Sequence, residues 1–183
     1  MEDDLLRIYK KAFTMNEGMP GDEARSILVL EADEQDWHIF FPFLHASPYA
    51  IEFLVGGEQR PLPERIEDFF ALIQEYENSP LFHIVDSPVI LIDKEHLAVG
   101  CYCSTGRDRA IEFDISVKGF QDETTLREQV ARFLDFIRTI GRVLNKVMIL
   151  APESSPFFHL FRFDPGTEEE HWFLEHIEAF NPD

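Results

Sequence analysis

The sequence predicts an α+β protein, with a largely antiparallel sheet and helices packed on one face. Three observations carry this. Strand candidates come in runs rather than alternating one for one with helices, which disfavours a parallel, doubly wound sheet. Two segments, from Ile66 to Tyr76 and from Leu126 to Leu144, repeat apolar residues at helical spacing. The 183 residues are 45% hydrophobic and include 18 Phe, which suffices for a core without disulfide or metal staples. Most of the Phe fall on periodic positions and read as core; the rest are candidates for an aromatic interface patch.

The elements follow in order. Leu5, Ile8, Tyr9, Ala12 and Phe13 share one helical face, with acids at its start and Lys10 and Lys11 near its end. Gly18, Pro20 and Gly21 should stop that helix. Strands are expected at Ser26–Glu31, Trp37–Phe43 and Tyr49–Val55, the last ended by Gly56-Gly57. A helix should open at Pro63, bury Ile66, Phe69, Phe70 and Ile73, and close at Asn78-Ser79-Pro80. Further strands are expected at Leu81–Val85, Val89–Ile92, His96–Cys103 and Ala110–Val117.

A long helix follows with Leu126, Val130, Phe133, Leu134, Ile137, Ile140 and Leu144 on one face. Thr125 and Glu128 could cap it as a reciprocal pair, with Asp122 as the rival cap. Lys146–Leu150 reads as a strand and residues 152–166 as a loop. Thr167 with Glu170 should open a last helix through Phe173, Ile177 and Phe180.

The chain is expected to form a single domain over residues 1–183. Ala50-Ile-Glu-Phe53 matches Ala110-Ile-Glu-Phe113, which suggests a strand-strand-strand-helix duplication over residues 22–79 and 86–145. A C-terminal strand and helix would then occupy 146–181.

Charge bounds the function. There are 35 Asp plus Glu against 16 Lys plus Arg, a formal net charge of -19. Such a surface repels nucleic-acid phosphates and anionic lipid and attracts basic proteins, so neither nucleic acid nor membrane is an expected partner. Residues 107–146 are near neutral, at net +1, between acidic segments of net -13 and -7. No apolar run approaches the roughly 20 residues of a membrane span, and the opening Met1-Glu-Asp-Asp is unlike a signal peptide. Two closely spaced cysteines, Cys101 and Cys103, point to the reducing cytoplasm rather than a secreted disulfide framework.

Catalytic and cofactor motifs are not found. Cys103-Ser-Thr-Gly-Arg-Asp-Arg109 resembles the phosphate loop of protein tyrosine phosphatases and arsenate reductases in its Cys-x5-Arg spacing. That loop must run into a helix N-terminus to hold its oxyanion. Here alternating apolar residues on both sides predict a β-hairpin with its turn at Thr105–Asp108, and Cys103 in register with the core. His171 and Glu175 share a helical face at i, i+4 and His176 lies one residue further; zinc needs three or four converging ligands and no His-Glu-x-x-His pattern exists, so these read as a solvated helix face. The remaining histidines are isolated, so no metal and no cofactor are expected. Arg138, Arg142 and Lys146 stand four apart; they complement a helix C-terminus and can pair with acids of a neighbouring element.

The expected function is that of a non-enzymatic, acidic protein-binding domain that neutralises or escorts a basic protein partner. In general character the chain is similar to small cytoplasmic immunity proteins of bacterial toxin systems and to type III secretion chaperones, although no motif carries the likeness. The alternatives are an enzyme with a dispersed site, with Cys103 and Arg109 as nominal candidates, and a structural or regulatory homodimer formed through a sheet edge or Phe-rich surface. The expected partner contacts are acids on exposed turns beside an aromatic anchor. These are Asp33, Glu34 and Asp36 beside Trp37, and Glu168, Glu169 and Glu170 near Trp172.

Overall fold

A computed structural model describes residues 2–13, 24–79, 87–103, 109–122, 124–153 and 155–180. The architecture is α+β, as expected. The helices are α1 (Glu2–Phe13), α2 (Glu34–Ala46), α3 (Ile66–Asn78), α4 (Leu126–Leu144) and α5 (Leu174–Phe180). The strands are β1 (Ala24–Val29), β2 (Ile51–Val55), β3 (Glu58–Arg60), β4 (Val89–Ile92), β5 (Val99–Cys103), β6 (Ile111–Ser116), β7 (Met148–Pro152), β8 (Phe161–Asp164) and β9 (Glu169–Trp172). A 3-10 turn covers Val117–Phe120. The hydrogen-bonded order is β3-β2-β4-β5-β6-β1-β7-β8-β9. The β1–β7, β2–β3, β2–β4, β4–β5, β7–β8 and β8–β9 pairs all run antiparallel.

Three expectations are corrected. Residues 37–43 are helix, not strand. Trp37, Phe40, Phe41 and Leu44 are all buried, and this is the 3.6-residue period of a helix face. Asp33 caps α2, its side chain accepting from Gln35 N at 2.7 Å, while Asp36 accepts from Asp33 N at 2.9 Å. The segment therefore starts as a helix despite Pro42 in its interior. With α2 present, residues 22–79 do not follow the strand-strand-strand-helix order.

The second correction is at the C-terminus, where the expected loop and helix start form the β8–β9 hairpin. Gly166 N donates to Asp164 Oδ1 at 3.0 Å in the turn, and Phe161 pairs with Trp172 across the strands. The third is the cap of α4. Thr125 makes no side-chain cap; instead Asp122 accepts from Thr124 N and Oγ1 at 2.9 and 2.7 Å. The expected strand at 81–85, the turn at 105–108 and the stop at 18–21 lie outside the described residues.

The chain divides into two compact units. One is Glu31–Phe113. Its core gathers around Phe69 of α3, whose ring lies 4.9 Å from Trp37, 5.4 Å from Phe41 and 6.0 Å from Phe53. Phe40 meets Phe113 edge-on at 5.5 Å. Gly56 and Gly57, with φ of 60° and 76°, make the two-residue turn that joins β2 to β3.

The other unit is Met1–Leu30 with Asp114–Asp183. Its longest helix, α4, buries every residue of the predicted face and also Phe136 and Gly141. Phe13 stacks on Phe120 at 4.3 Å and meets Phe133 edge-on at 5.3 Å. Arg25 is fully buried. Its Nε donates to Ala12 O at 2.8 Å, and its guanidinium lies 5.2 Å from the Phe180 ring centre. Gln121 Nε2 donates to Phe13 O at 3.0 Å. These two side chains satisfy carbonyls left open at the C-terminal end of α1.

Candidate functional site

The first expected acidic cluster is a helix start, not an exposed docking turn. Asp33 and Asp36 hold each other's backbone amides in the reciprocal cap described above, and Asp36 is buried. Trp37 has no exposed surface and cannot serve as an apolar anchor for a partner. Its indole Nε1 donates to Arg109 O at 2.8 Å. Glu34 faces the Arg109 guanidinium at 3.7 Å, and that guanidinium lies 5.1 Å from the Phe70 ring centre. An acid-rich N-terminus beside the first buried turn of a helix has the same local sequence as an exposed acidic turn beside an aromatic.

The second cluster is engaged by the basic stripe of α4. Arg138 binds Glu170 through two parallel hydrogen bonds, one of them 3.0 Å between Nη2 and Oε2. Arg142 binds Glu168 in the same way, with Nε to Oε1 at 2.9 Å. The hydrogen bond from Arg142 holds the Glu168 carboxyl below its ordinary range. Glu169 accepts from Thr167 Oγ1 at 3.3 Å. Trp172 is half-buried, its ring 4.7 Å from Phe161 and 5.5 Å from Tyr9. These acids tie the β8–β9 hairpin to α4, and the two forks neutralise charge that a partner would otherwise meet.

Cys103 sits where the strand alternation put it, at the end of β5 and buried. Its Sγ lies 3.9 Å from Arg109 O, so the thiol donates weakly to a backbone carbonyl. Burial pushes its pKa up to about 12, against a smaller lowering by Arg109. A nucleophilic cysteine needs the opposite shift. The next described strand, from Ile111, takes the place where that chemistry needs a helix. The phosphatase-like spacing therefore has neither the thiolate nor the helix that the chemistry requires. Among the described residues, no group of three or more His, Cys, Asp or Glu could hold a metal ion. No described helix is long and apolar enough to cross a membrane.

A surface missed in the sequence lies along α3. Its outward face presents Glu64, Glu67, Asp68, Ala71, Gln74, Glu75 and Asn78, all exposed. The one base beside them, Arg65, pairs with Asp68 at 3.2 Å and Glu67 at 3.7 Å. Among the described residues, Glu64 and Glu75 carry no ion pair. Glu64 and Ile66 also line a hollow of about 380 Å³ with His38, Phe41, Pro42 and His45 of α2. His45 Nε2 bonds Pro63 O at 2.9 Å and fixes the end of α2 against the approach to α3. Ile39, 52% exposed, stands one turn before Pro42. The signal was present in the sequence as the polar complement of the α3 apolar face, but in a chain with so many acids it did not stand out.

Comparison with protein families, with characterised proteins and with solved structures finds no significant similarity for this chain.

Proposed function

We propose that the protein is a non-enzymatic acidic binding domain that neutralises or escorts a basic protein partner. One observation carries the reading: the exposed acids of α3 adjoin a hollow with apolar walls on the same unit. An interface needs both a charged rim for steering and a desolvated anchor. Glu64 and Glu75 supply the rim, and Phe41, Pro42 and Ile66 supply the walls. The net charge of -19 extends the field beyond this face and speeds encounter with a cation-rich surface. Like charge on every copy works against self-association, so a heterologous partner is favoured over a homodimer. Immunity-like and chaperone-like roles both fit a protein of this kind. Two buried cysteines outside any disulfide support a reducing, cytoplasmic setting.

The test is capture from the native cell with wild type and with Glu64→Lys/Glu75→Lys. The expected result is a protein of high isoelectric point that elutes from wild type at moderate salt and is absent from the variant. Capture of the same proteins by both, or only of neutral and acidic ones, would overturn the reading.

A further inference from the structure

A second surface, on the unit that contains α4 and α5, has a different character. Phe157 is 90% exposed, and Phe158 and Leu174 are 41% and 47% exposed. Twelve other Phe side chains among the described residues are buried, so this placement is not a matter of composition. The backbone that presents them is pinned. Phe158 N donates to Ser155 O at 2.9 Å, and Leu160 N to Leu150 O at 2.8 Å. Phe173 N donates to Leu160 O at 3.0 Å, and His176 Nδ1 bonds His159 O at 2.9 Å. The loop before β8 and the start of α5 are thus joined into one piece.

Beside them is a hollow of about 400 Å³ lined by His171, Trp172, Phe173, Leu174, Glu175 and His176. Phe173 is held between rings, with His171 edge-on at 4.5 Å and His176 stacked at 5.4 Å. Phe158 in turn lies 5.4 Å from His176.

The segment that carries this patch is acidic, and the α1 cation that reaches α5, Arg7, lies 3.9 Å from Glu178. Residues 147–183 contain 8 acids and a single base, Arg162, which is held by Asp164 at 2.7 Å. Glu175 lines the hollow and Glu153 stands in the same loop; among the described residues neither carries an ion pair. The neighbouring cations of α4, Arg138 and Arg142, are engaged by Glu170 and Glu168. A second copy of this chain would bring another -19, and an anionic lipid surface would be repelled in the same way.

We propose that the Phe157–Phe158–Leu174 patch is a docking site for a cationic polypeptide segment whose aromatic or aliphatic side chain enters the hollow beside Phe173. Lysine or arginine residues flanking that anchor would meet Glu153 and Glu175. The charge of the occupant rests on the binding function proposed above; the apolar anchor does not.

The test uses two fluorescein-labelled hexapeptides of equal charge, in which lysine pairs flank either Phe-Phe or Gly-Ser. Fluorescence anisotropy should show wild type binding the Phe-Phe peptide at least about tenfold more tightly, the equivalent of ~1.4 kcal/mol. Phe157→Ser and the double change Phe157→Ser/Phe158→Ser should lose that preference and keep wild-type affinity for the Gly-Ser peptide. Phe157→Ser should leave the unfolding midpoint unchanged, because its ring is almost wholly in water. Equal binding of the two peptides by wild type, or a preference that survives both changes, would overturn the inference. Salt-sensitive binding of the Gly-Ser peptide would then leave the acidic function standing, and its absence would remove that too. A wild-type dimer that Phe157→Ser returns to monomer would identify a second copy as the occupant and overturn the proposal.

Discussion

Gly141 separates two effects of opposite sign. It lies in the interior of α4 and is buried. Helix propensity alone favours Gly141→Ala by about 1 kcal/mol, since alanine loses less backbone entropy. The packing says otherwise. A Cβ at this position would stand 2.9 and 3.0 Å from Phe163 Cδ1 and Cε1, and 3.0 Å from Met148 Cγ. Real Cβ contacts under 3.0 Å essentially do not occur, so the Phe163 ring on β8 must shift, and Met148 on β7, at the 3.0 Å edge of the tight range, must give by a few tenths of an ångström. Phe163 is 1% exposed and Met148 is fully buried, so neither can swing into water. The Phe163 ring is further confined by the Arg142 guanidinium, 5.7 Å from its centre.

Overpacking of a closed core costs about 1–3 kcal/mol. The steric cost should outweigh the gain in helix propensity, leaving Gly141→Ala less stable by roughly 1–2 kcal/mol, and Gly141→Val less stable still. Urea unfolding followed by circular dichroism gives the difference directly. An alanine variant that is more stable than wild type by the propensity value would refute the close approach of α4 to β7 and β8.

Two further outcomes concern the Glu31–Phe113 unit. Trp37→Phe should destabilise by about 1–3 kcal/mol through lost volume and an Arg109 carbonyl left with only the weak thiol donor of Cys103, and Trp37→Ala by about 3–5 kcal/mol; a neutral alanine variant with weakened partner capture would return Trp37 to the surface. Cys103 should resist iodoacetamide in the folded protein at pH 8. Its pKa is raised to about 12 from an ordinary 9.0, so the fold favours the neutral thiol. That contribution is complete below pH 9 and is lost as pH rises from there toward 12. Cys103→Ser should remove this alkaline loss while costing about 1 kcal/mol for a hydroxyl in an apolar site, and rapid native-state alkylation at pH 7 would contradict the assignment.

The elements legible in the sequence are those in which one period dominates. The face of α4 is legible residue by residue, because nineteen residues of unbroken 3.6 spacing outweigh any local exception. Strands β4 and β6 are legible as alternating or continuous apolar runs between turn residues. Helix α2 is not. Its Trp, Ile and Phe residues favour strands, and Pro42 argues against a helix interior. What decides the matter is the Asp33–Asp36 cap and the burial of one helical face, and the capping spacing is the signal to weigh.

The C-terminal hairpin misleads for the converse reason. Thr167 and Glu170 have capping spacing, but Asp164-Pro165-Gly166 is a turn, and Phe161 facing Trp172 makes the strand pair more stable than a helical turn. The site is less legible than the fold. Whether an acid is free depends on which cation lies across the next element. Nothing local to Glu168 or Glu170 indicates that α4 carries their partners, and nothing local to Glu64 or Glu75 indicates that they carry no ion pair among the described residues.

The most direct test of the acidic binding function is the association rate with the captured partner across ionic strength. It is measured by stopped flow for wild type and for Glu64→Lys/Glu75→Lys. Steering by the α3 face predicts a wild-type rate that falls steeply as the Debye length shrinks from about 30 to about 8 Å. It also predicts a variant roughly tenfold slower at low salt, with dissociation little changed in either. Association rates that are equal in the two proteins and indifferent to salt would contradict it.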